Sequence, residues 1–484
     1  MTERRLAAGV DCSTQSTKVL LVDPDSGEIV ASGHAPNPVT GEGGARETDP
    51  RAWWSGLQAA LAATGRANEV GAIAVGGQQH GLVVLDEAGE PLRDAILWND
   101  TRPAPDAERL TAVLGADRWA ERTGLRPIAS FTVSKWAWLR RTEPATAAAT
   151  RAIRLPHDYL TERLTGRGVT DRGDASGTGW WSPGDERYAA DILGLDEVAI
   201  DPRLLPELLG PAEPAGEVTT GAATALGMTP GVVVGPGTGD NMAAALGLGL
   251  SIGQPALSLG TSGTVFAPAT GRSADPTGIV AGFADATGRF LPLACTLNCT
   301  QAIDRIAGWL GLDRDDVADS GSVVVLPWLD GERTPDLPLA AGTIVGLRHT
   351  TTPQQILMAA YEGAVASLLD ALASIGEAAG GMDPAAPIVL IGGGARGRTW
   401  REVVRRLSGR PVLVPNAEEL VALGAAVQAT AIWHGEEPAA VTRRWNTGAG
   451  TLLDPLPRDD ERLARIRAIR DVVVREGGLT GGRV

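Results

Sequence analysis

The sequence predicts an α/β protein built as two similar lobes around a cleft, and three observations carry that reading. The chain has 484 residues, 43% of them hydrophobic and 21% charged, which is enough for two sizeable cores and unlike a disordered or fibrous polymer. Strand-like apolar runs alternate with helical periodicities, the order of a layered α/β fold. An apolar strand, a tip of small hydroxyl residues and a second apolar strand occur twice, at 8–23 and 256–266, as an internal repeat that opens each lobe would.

The run AGVDCSTQSTKVLLVD (8–23) reads as a hairpin with its tip at 12–17, and a turn at 24–27 leads to a third strand at 28–33. A helix is expected over 50–64, because Asp49 can cap it, Pro50 suits its first position, and Trp53, Trp54, Leu57 and Leu61 recur at helical spacing. Strands follow at 72–75 and 82–85 on either side of the polar loop GGQQHG (76–81). Another strand at 231–234 runs through GPGTGDN (235–241) into a small-residue helix at 242–248. The lobes divide there, giving domains 1–246 and 247–484.

The second lobe starts with a strand at 256–259 and the tip GTSGT (260–264). Next come a buried helix at 352–373, a strand at 387–391, a Gly-rich turn at 392–397, a helix at 398–407 and a strand at 411–414. An Ala-rich helix at 418–432 follows, and 458–475 alternates charges with aliphatics as a solvated surface helix does.

A formal charge of −15 argues against a nucleic-acid footprint and obliges any nucleotide site to make its own positive potential from backbone N–H groups, helix N-termini or a metal ion. Cys12, Cys295 and Cys299 form neither a disulfide framework nor a C-x-x-C zinc spacing, so a reducing, cytoplasmic setting is expected. Residues 1–8 reach Gly9, Val10 and Asp11 without the apolar core of a signal peptide. Residues 241–271 are uncharged, but Gly, Ser, Gln254 and Pro255 interrupt them, so they read as buried protein and no membrane contact is expected. Only Lys18 and Lys135 are lysines, and neither follows the G-x-x-x-x-G of a Walker loop, which excludes a P-loop enzyme.

The two tips cluster backbone N–H groups and hydroxyls, as an oligophosphate requires. Ordinary turn chemistry explains either tip alone, whereas their pairing at the start of two similar halves points to a phosphate cleft. Asp240, after a Gly-rich turn, can take a proton from a substrate hydroxyl or can cap a helix. Asp11, at the end of the first strand, can hold a divalent metal through water or can be a turn aspartate. Gln78, Gln79 and His80, with Trp98, Asn99, Asp100 and Arg102, set polar groups beside an aromatic face, which suits a polyol or sugar, although a lone His is more often structural. Residues 392–397 satisfy G-x-G-x-x-G between a strand and a helix, so a nicotinamide dehydrogenase is a rival. That rival leaves both tips and Asp240 without a task.

Together these residues resemble the FGGY carbohydrate kinases of the actin-like ATPase superfamily, and the resemblance spans essentially the whole chain. Gly9, Val10 and Asp11 through Lys18 resemble the first phosphate motif, residues 259–264 the second, 392–394 onward the adenosine motif, and Gly239-Asp240-Asn241 the catalytic-base segment. SFTVSKWAWL (130–139) and residues 342–346 with 355–362 fit the two family signatures. The resemblance is strongest to the members that phosphorylate D-xylulose, carried by GQQHGLVVLD (77–86), ILWNDTR (96–102), LPHDYLTERLTG (155–166), TDRGDASGTGWW (170–181) and GDN (239–241). Members acting on glycerol are similar but carry Gln where this chain has Asn241. Gln79 stands where many xylulose-specific members have Met, and Ser13 where Gly is common.

The resemblance implies two ribonuclease-H-like domains with ATP in the cleft, Mg²⁺ on its phosphates and a small-molecule sugar as acceptor; a homodimer is compatible with it. Asp240 would be the base, and Gln79, His80, Asp100, Asp240 and Asn241 would hold the sugar. Ser13, Thr14, Thr17, Lys18, Gly260, Thr261, Thr264, Gly393, Gly394 and Asn416 would bind ATP, and Asp11 would hold the metal's water shell. The remaining alternatives are a family member acting on gluconate, glycerol, ribulose or a deoxysugar, and a noncatalytic actin-like ATP-binding protein.

Overall fold

The computed structural model describes residues 5–477 and contains two seven-stranded sheets. In the first, Leu6–Cys12, Ser16–Val22 and Ile29–Pro36 form an antiparallel meander. Leu6–Cys12 pairs in parallel with Val70–Gly77, which pairs in parallel with Val233–Val234, and Gly216–Glu217 closes this edge antiparallel. In the second, Ala256–Leu259 and Gly263–Phe266 form the hairpin, and Phe290–Thr296 continues it antiparallel. Ile388–Ile391 and Val412–Pro415 add in parallel and Gly450–Leu453 closes antiparallel, with Val280–Ala284 as an extra outer strand. The repeat seen in the hairpins is therefore a repeat of sheet topology.

Central strands covered on both faces need apolar side chains on both, which explains why Leu6–Cys12 and Val70–Gly77 are buried along their whole length. The helix Pro50–Ala63 begins as expected, with the Asp49 carboxylate accepting from the Arg51 amide and Trp53, Leu57 and Leu61 turned inward. Pro353–Ala379 is long and apolar enough to span a membrane, yet 83% of its apolar window is buried, and it serves as the core helix of the second lobe.

Leu420–His434 lies far beyond residue 246 in sequence but covers the first sheet, setting Ala425 and Ala429 against Ala7, Ala72 and Ala74. The approach is so close that a Cβ on Gly9 would stand 1.8 Å from the Ala422 carbonyl oxygen. The same helix crosses Asp240–Gly247 at Gly424, where a Cβ would lie 1.9 Å from the Ala243 oxygen. Small residues thus bring two backbones into contact where the lobes join.

The C-terminal helix Asp460–Arg475 departs from the solvated helix expected. Leu463, Ile466 and Val473 join a core with Val324, Leu326 and Trp328, and buried Arg462 donates to Glu362 at 2.6 Å. Its apolar edge is narrow, so charges dominate the sequence pattern while the edge still packs.

Candidate active site between the lobes

A cavity of about 350 Å³ opens between the lobes. Gln79, His80, Trp98, Phe131, Asp240 and Asn241 line it from the first lobe, and the tip residues Gly260, Thr261 and Ser262 line it from the second. Ser258, Thr264 and Cys295 stand in register across three adjacent strands, so one face of the second sheet forms its floor.

Asp240 begins the helix Asp240–Gly247, but Gly239 occupies the cap position and the Asp240 carboxylate does not cap the helix. Its Oδ1 instead accepts from the Asn241 backbone N–H at 2.7 Å and from Asn241 Nδ2 at 2.8 Å. Asn241 Nδ2 also donates to Gln79 Oε1 at 2.8 Å, so acid, amide and amide form one chain along the cavity wall. Burial and the charge of Asp174 push Asp240 up to about 7, against the pull of the Asn241 hydrogen bonds. A carboxylate poised there can accept a proton near neutral pH.

His80 sits at φ 69°, its ring between Phe131 at 5.1 Å and Phe283 of the second lobe at 5.5 Å. Its carbonyl accepts from Thr132 Oγ1 and from the buried Lys135 ammonium at 3.1 Å. Burial and then Lys135 hold the imidazole well below its usual range, against the pull of a Gly177 backbone hydrogen bond, so it is neutral. Gln79 Nε2 is buried without a protein hydrogen-bond partner. An unmatched polar atom on a residue that lines a cavity is open to a hydroxyl of a ligand.

Behind Asp240 lies a buried cluster drawn from the segments 155–166 and 170–181. His157 Nδ1 lies 2.8 Å from Asp174, and Nε2 lies 3.2 Å from Asp158 and 3.8 Å from Asp171. Burial works against charge on His157, but the three carboxylates outweigh it and hold its pKa at about 9. Thr238, just before the Gly239 cap, donates to Asp171 at 2.7 Å, which ties this cluster to the turn carrying Asp240.

Asp11, one residue before the end of its strand, is buried with Oδ1 unpartnered. Burial and then the Asp240 charge raise it to about 7, while Lys18 pulls it down. Among the described residues no group of three or more His, Cys, Asp or Glu is arranged to hold a metal ion. A single unmatched carboxylate fits Mg²⁺, which keeps most of its water and takes its other ligands from phosphates.

Several expected ATP ligands prove to have other partners. Thr17 pairs with Cys12, and both turn to the buried face, where Thr17 Oγ1 donates to Asn37 at 3.0 Å, away from the cleft. Period-two alternation dictates this, because Lys18, the next residue, shares the opposite face with Asp11. Lys18 Nζ is held by Glu419 at 2.6 Å. Ser13 Oγ donates to the Ser16 carbonyl, and Thr14 Oγ1 donates to Gln78 and accepts from Trp98 Nε1 at 2.9 Å.

Asp100, expected to hold the sugar, is engaged by protein groups. It lies outside the cavity lining, and its oxygens are taken by the Arg46 amide and the Arg102 amide and guanidinium, so it shapes the loop. Gly393 and Gly394 form a tight turn after Ile388–Ile391, and Gly393 has open space where a Cβ would stand. Asn416 is exposed beyond Val412–Pro415; these three residues lie outside the lining of the cavity that holds Asp240. Phe283, Cys295 and Arg333 carry no site motif in the sequence and reach the cavity only through the folding of the second lobe.

Known proteins share this two-lobed fold. Residues 6–247 match the N-terminal domain of the FGGY family of carbohydrate kinases and 256–433 match its C-terminal domain. The chain is 59% identical to a xylulose kinase of Streptomyces coelicolor and 58% identical to one of Streptomyces rubiginosus, in each case over 96% of both chains. The crystal structure of xylulose kinase from Bifidobacterium adolescentis superposes with a TM-score of 0.85 at 35% identity, over 96% of this chain and 99% of that one. With both domain models matched in order around a shared cavity, this chain belongs to the FGGY family of carbohydrate kinases.

Proposed function

We propose that the chain transfers the γ-phosphoryl group of ATP to a terminal hydroxyl of D-xylulose, giving D-xylulose 5-phosphate. The observation that carries this reading is Asp240, a carboxylate raised to about 7 in a cavity that the sugar-side residues Gln79, His80 and Asn241 share with the second hydroxyl tip. The ketopentose is favoured by the xylulose kinases that align over 96% of the chain.

In this reading the sugar lies against Gln79, His80 and Asn241, and Asp240 accepts the proton of the attacking hydroxyl. Gly260, Thr261 and Thr264 bind phosphate oxygens through backbone N–H groups and hydroxyls, and Gly393, Gly394 and Asn416 hold the adenosine. Asp11 would hold the water shell of Mg²⁺, whose chemistry is to neutralise phosphate charge. Closure of lobes 1–246 and 247–484 excludes water as a competing acceptor. The free thiols of Cys12, Cys295 and Cys299 agree with a reducing, cytoplasmic setting.

An acceptor panel tests the reading: D-xylulose, D-ribulose, D-gluconate, glycerol and deoxysugars with ATP and Mg²⁺, followed by ADP release. D-xylulose is expected to give the highest kcat/KM. A higher value for another acceptor overturns the substrate, and the absence of any sugar-dependent ADP overturns the kinase.

A further inference from the structure

We propose that Arg333 binds the phosphoryl group as it passes from nucleotide to sugar, a role that rests on the kinase reading above. Asp240 and Arg333 are the formally charged side chains in the cavity lining, one from each lobe. In a chain of net charge −15, a group carrying several negative oxygens needs a local cation, and the cleft's other candidate, Lys18, is engaged by Glu419. Among the described residues the Arg333 guanidinium has no ion pair and no hydrogen bond, and an arginine fork matches phosphate oxygens two at a time.

The surrounding loop is built to leave that guanidinium available. The adjacent Glu332 is its obvious partner, but this buried carboxylate is committed elsewhere. It accepts from the Leu297 amide at 2.5 Å, the Arg333 amide at 2.8 Å and Asn298 Nδ2 at 3.1 Å. Asn298 also donates to the Gly331 carbonyl at 2.7 Å and accepts from the Leu329 amide at 2.9 Å. Thr334 Oγ1 donates to the Cys295 carbonyl at 2.7 Å, and Cys295 pairs with Thr264 on the strand that leaves the phosphate tip. The backbone is thus fixed on both sides of Arg333, beside the strand where the second tip ends.

In the transfer, a lone pair of the sugar hydroxyl oxygen forms the new bond to the γ-phosphorus. The bond from that phosphorus to the bridging oxygen breaks, with its electron pair leaving on ADP, and the hydroxyl proton goes to Asp240. Arg333 donates hydrogen bonds to the non-bridging oxygens throughout and stays with the phosphate on the sugar.

The test compares wild type, Arg333→Met and Arg333→Lys in turnover and in calorimetric binding of D-xylulose and of D-xylulose 5-phosphate. Loss of a preorganised charge donor is expected to lower kcat of Arg333→Met roughly 10²- to 10³-fold, with Arg333→Lys in between. The affinity for the 5-phosphate should fall at least about tenfold while that for free D-xylulose changes less than about threefold. Equal weakening of both ligands would make Arg333 a reader of sugar hydroxyls and overturn the proposal, as would wild-type behaviour of both variants. Should Arg333→Met melt early, Arg333→Lys carries the same comparison. A wild type that prefers another acceptor refutes D-xylulose alone, and Arg333 is then judged with that acceptor and its phosphate ester.

Discussion

The two hairpins share a topology and differ in what their tips are free to do. In the first lobe Ser13 bonds within the tip, Thr14 is tied to Gln78 and Trp98, and Asn37 Nδ2 donates to the Ser13 carbonyl at 2.8 Å. In the second, Thr261 and Ser262 are exposed and line the cavity directly. The first lobe contributes the raised carboxylates Asp11 and Asp240, whereas the second contributes hydroxyls and Arg333. The frame is repeated while its edges differ, and in the proposed reading the first lobe supplies the proton acceptor and the second the phosphate contacts.

That contrast breaks most severely at Asp240. Asp240→Asn keeps the Asn241 contact but cannot take a proton, so sugar-dependent ADP release should fall roughly 10²- to 10⁴-fold with sugar binding retained. Near-normal turnover would remove the base from this lobe.

The pH profile sharpens the point. Asp240 must be ionised to act, and with its pKa at about 7 the wild-type kcat/KM should climb as pH rises through 7, falling about tenfold per unit well below it. Asp11 repels the same charge, so the midpoint belongs to the pair. A flat profile between pH 5.5 and 8, taken as about the range of a neutral-pH base, contradicts the assignment.

Between the tips, Thr261→Ala should raise the KM for ATP by about threefold to tenfold, the net value of one typical hydrogen bond, whereas Thr17→Val should leave it unchanged. Equal effects would erase the distinction drawn here. The smallest expected effect is that of Gln79→Met, which removes an amide from the sugar wall and should shift the ranking of acceptors with little change in the KM for ATP. An unchanged ranking shows that Gln79 does not read the sugar.

Local pattern was enough for the hairpins, the Asp49-capped helix and the Gly-rich turn before Asp240, because each is decided by neighbours within a few residues. Thr17 was assignable too, since alternation from Cys12 and Lys18 puts it on the far face. Asp100 escaped that logic, because its partner Arg102 is two residues away and a carboxylate in a polar loop looks the same whether it serves a ligand or the loop. Arg333 left no mark in sequence, for what sets it apart is a neighbour, Glu332, committed to three other donors.

By itself the sequence determined the two-lobed α/β plan, the paired tips and the acid after a Gly-rich turn, since hydrophobic period and turn chemistry are written residue by residue. Tertiary structure decided which of those polar groups remain available. Leu420–His434 returns to close the first lobe, Glu419 takes Lys18, and a loop tied to the second sheet through Thr334 brings Arg333 to face Asp240's cavity. Whether a charge is satisfied depends on groups hundreds of residues away, and that is a property of the packed chain alone.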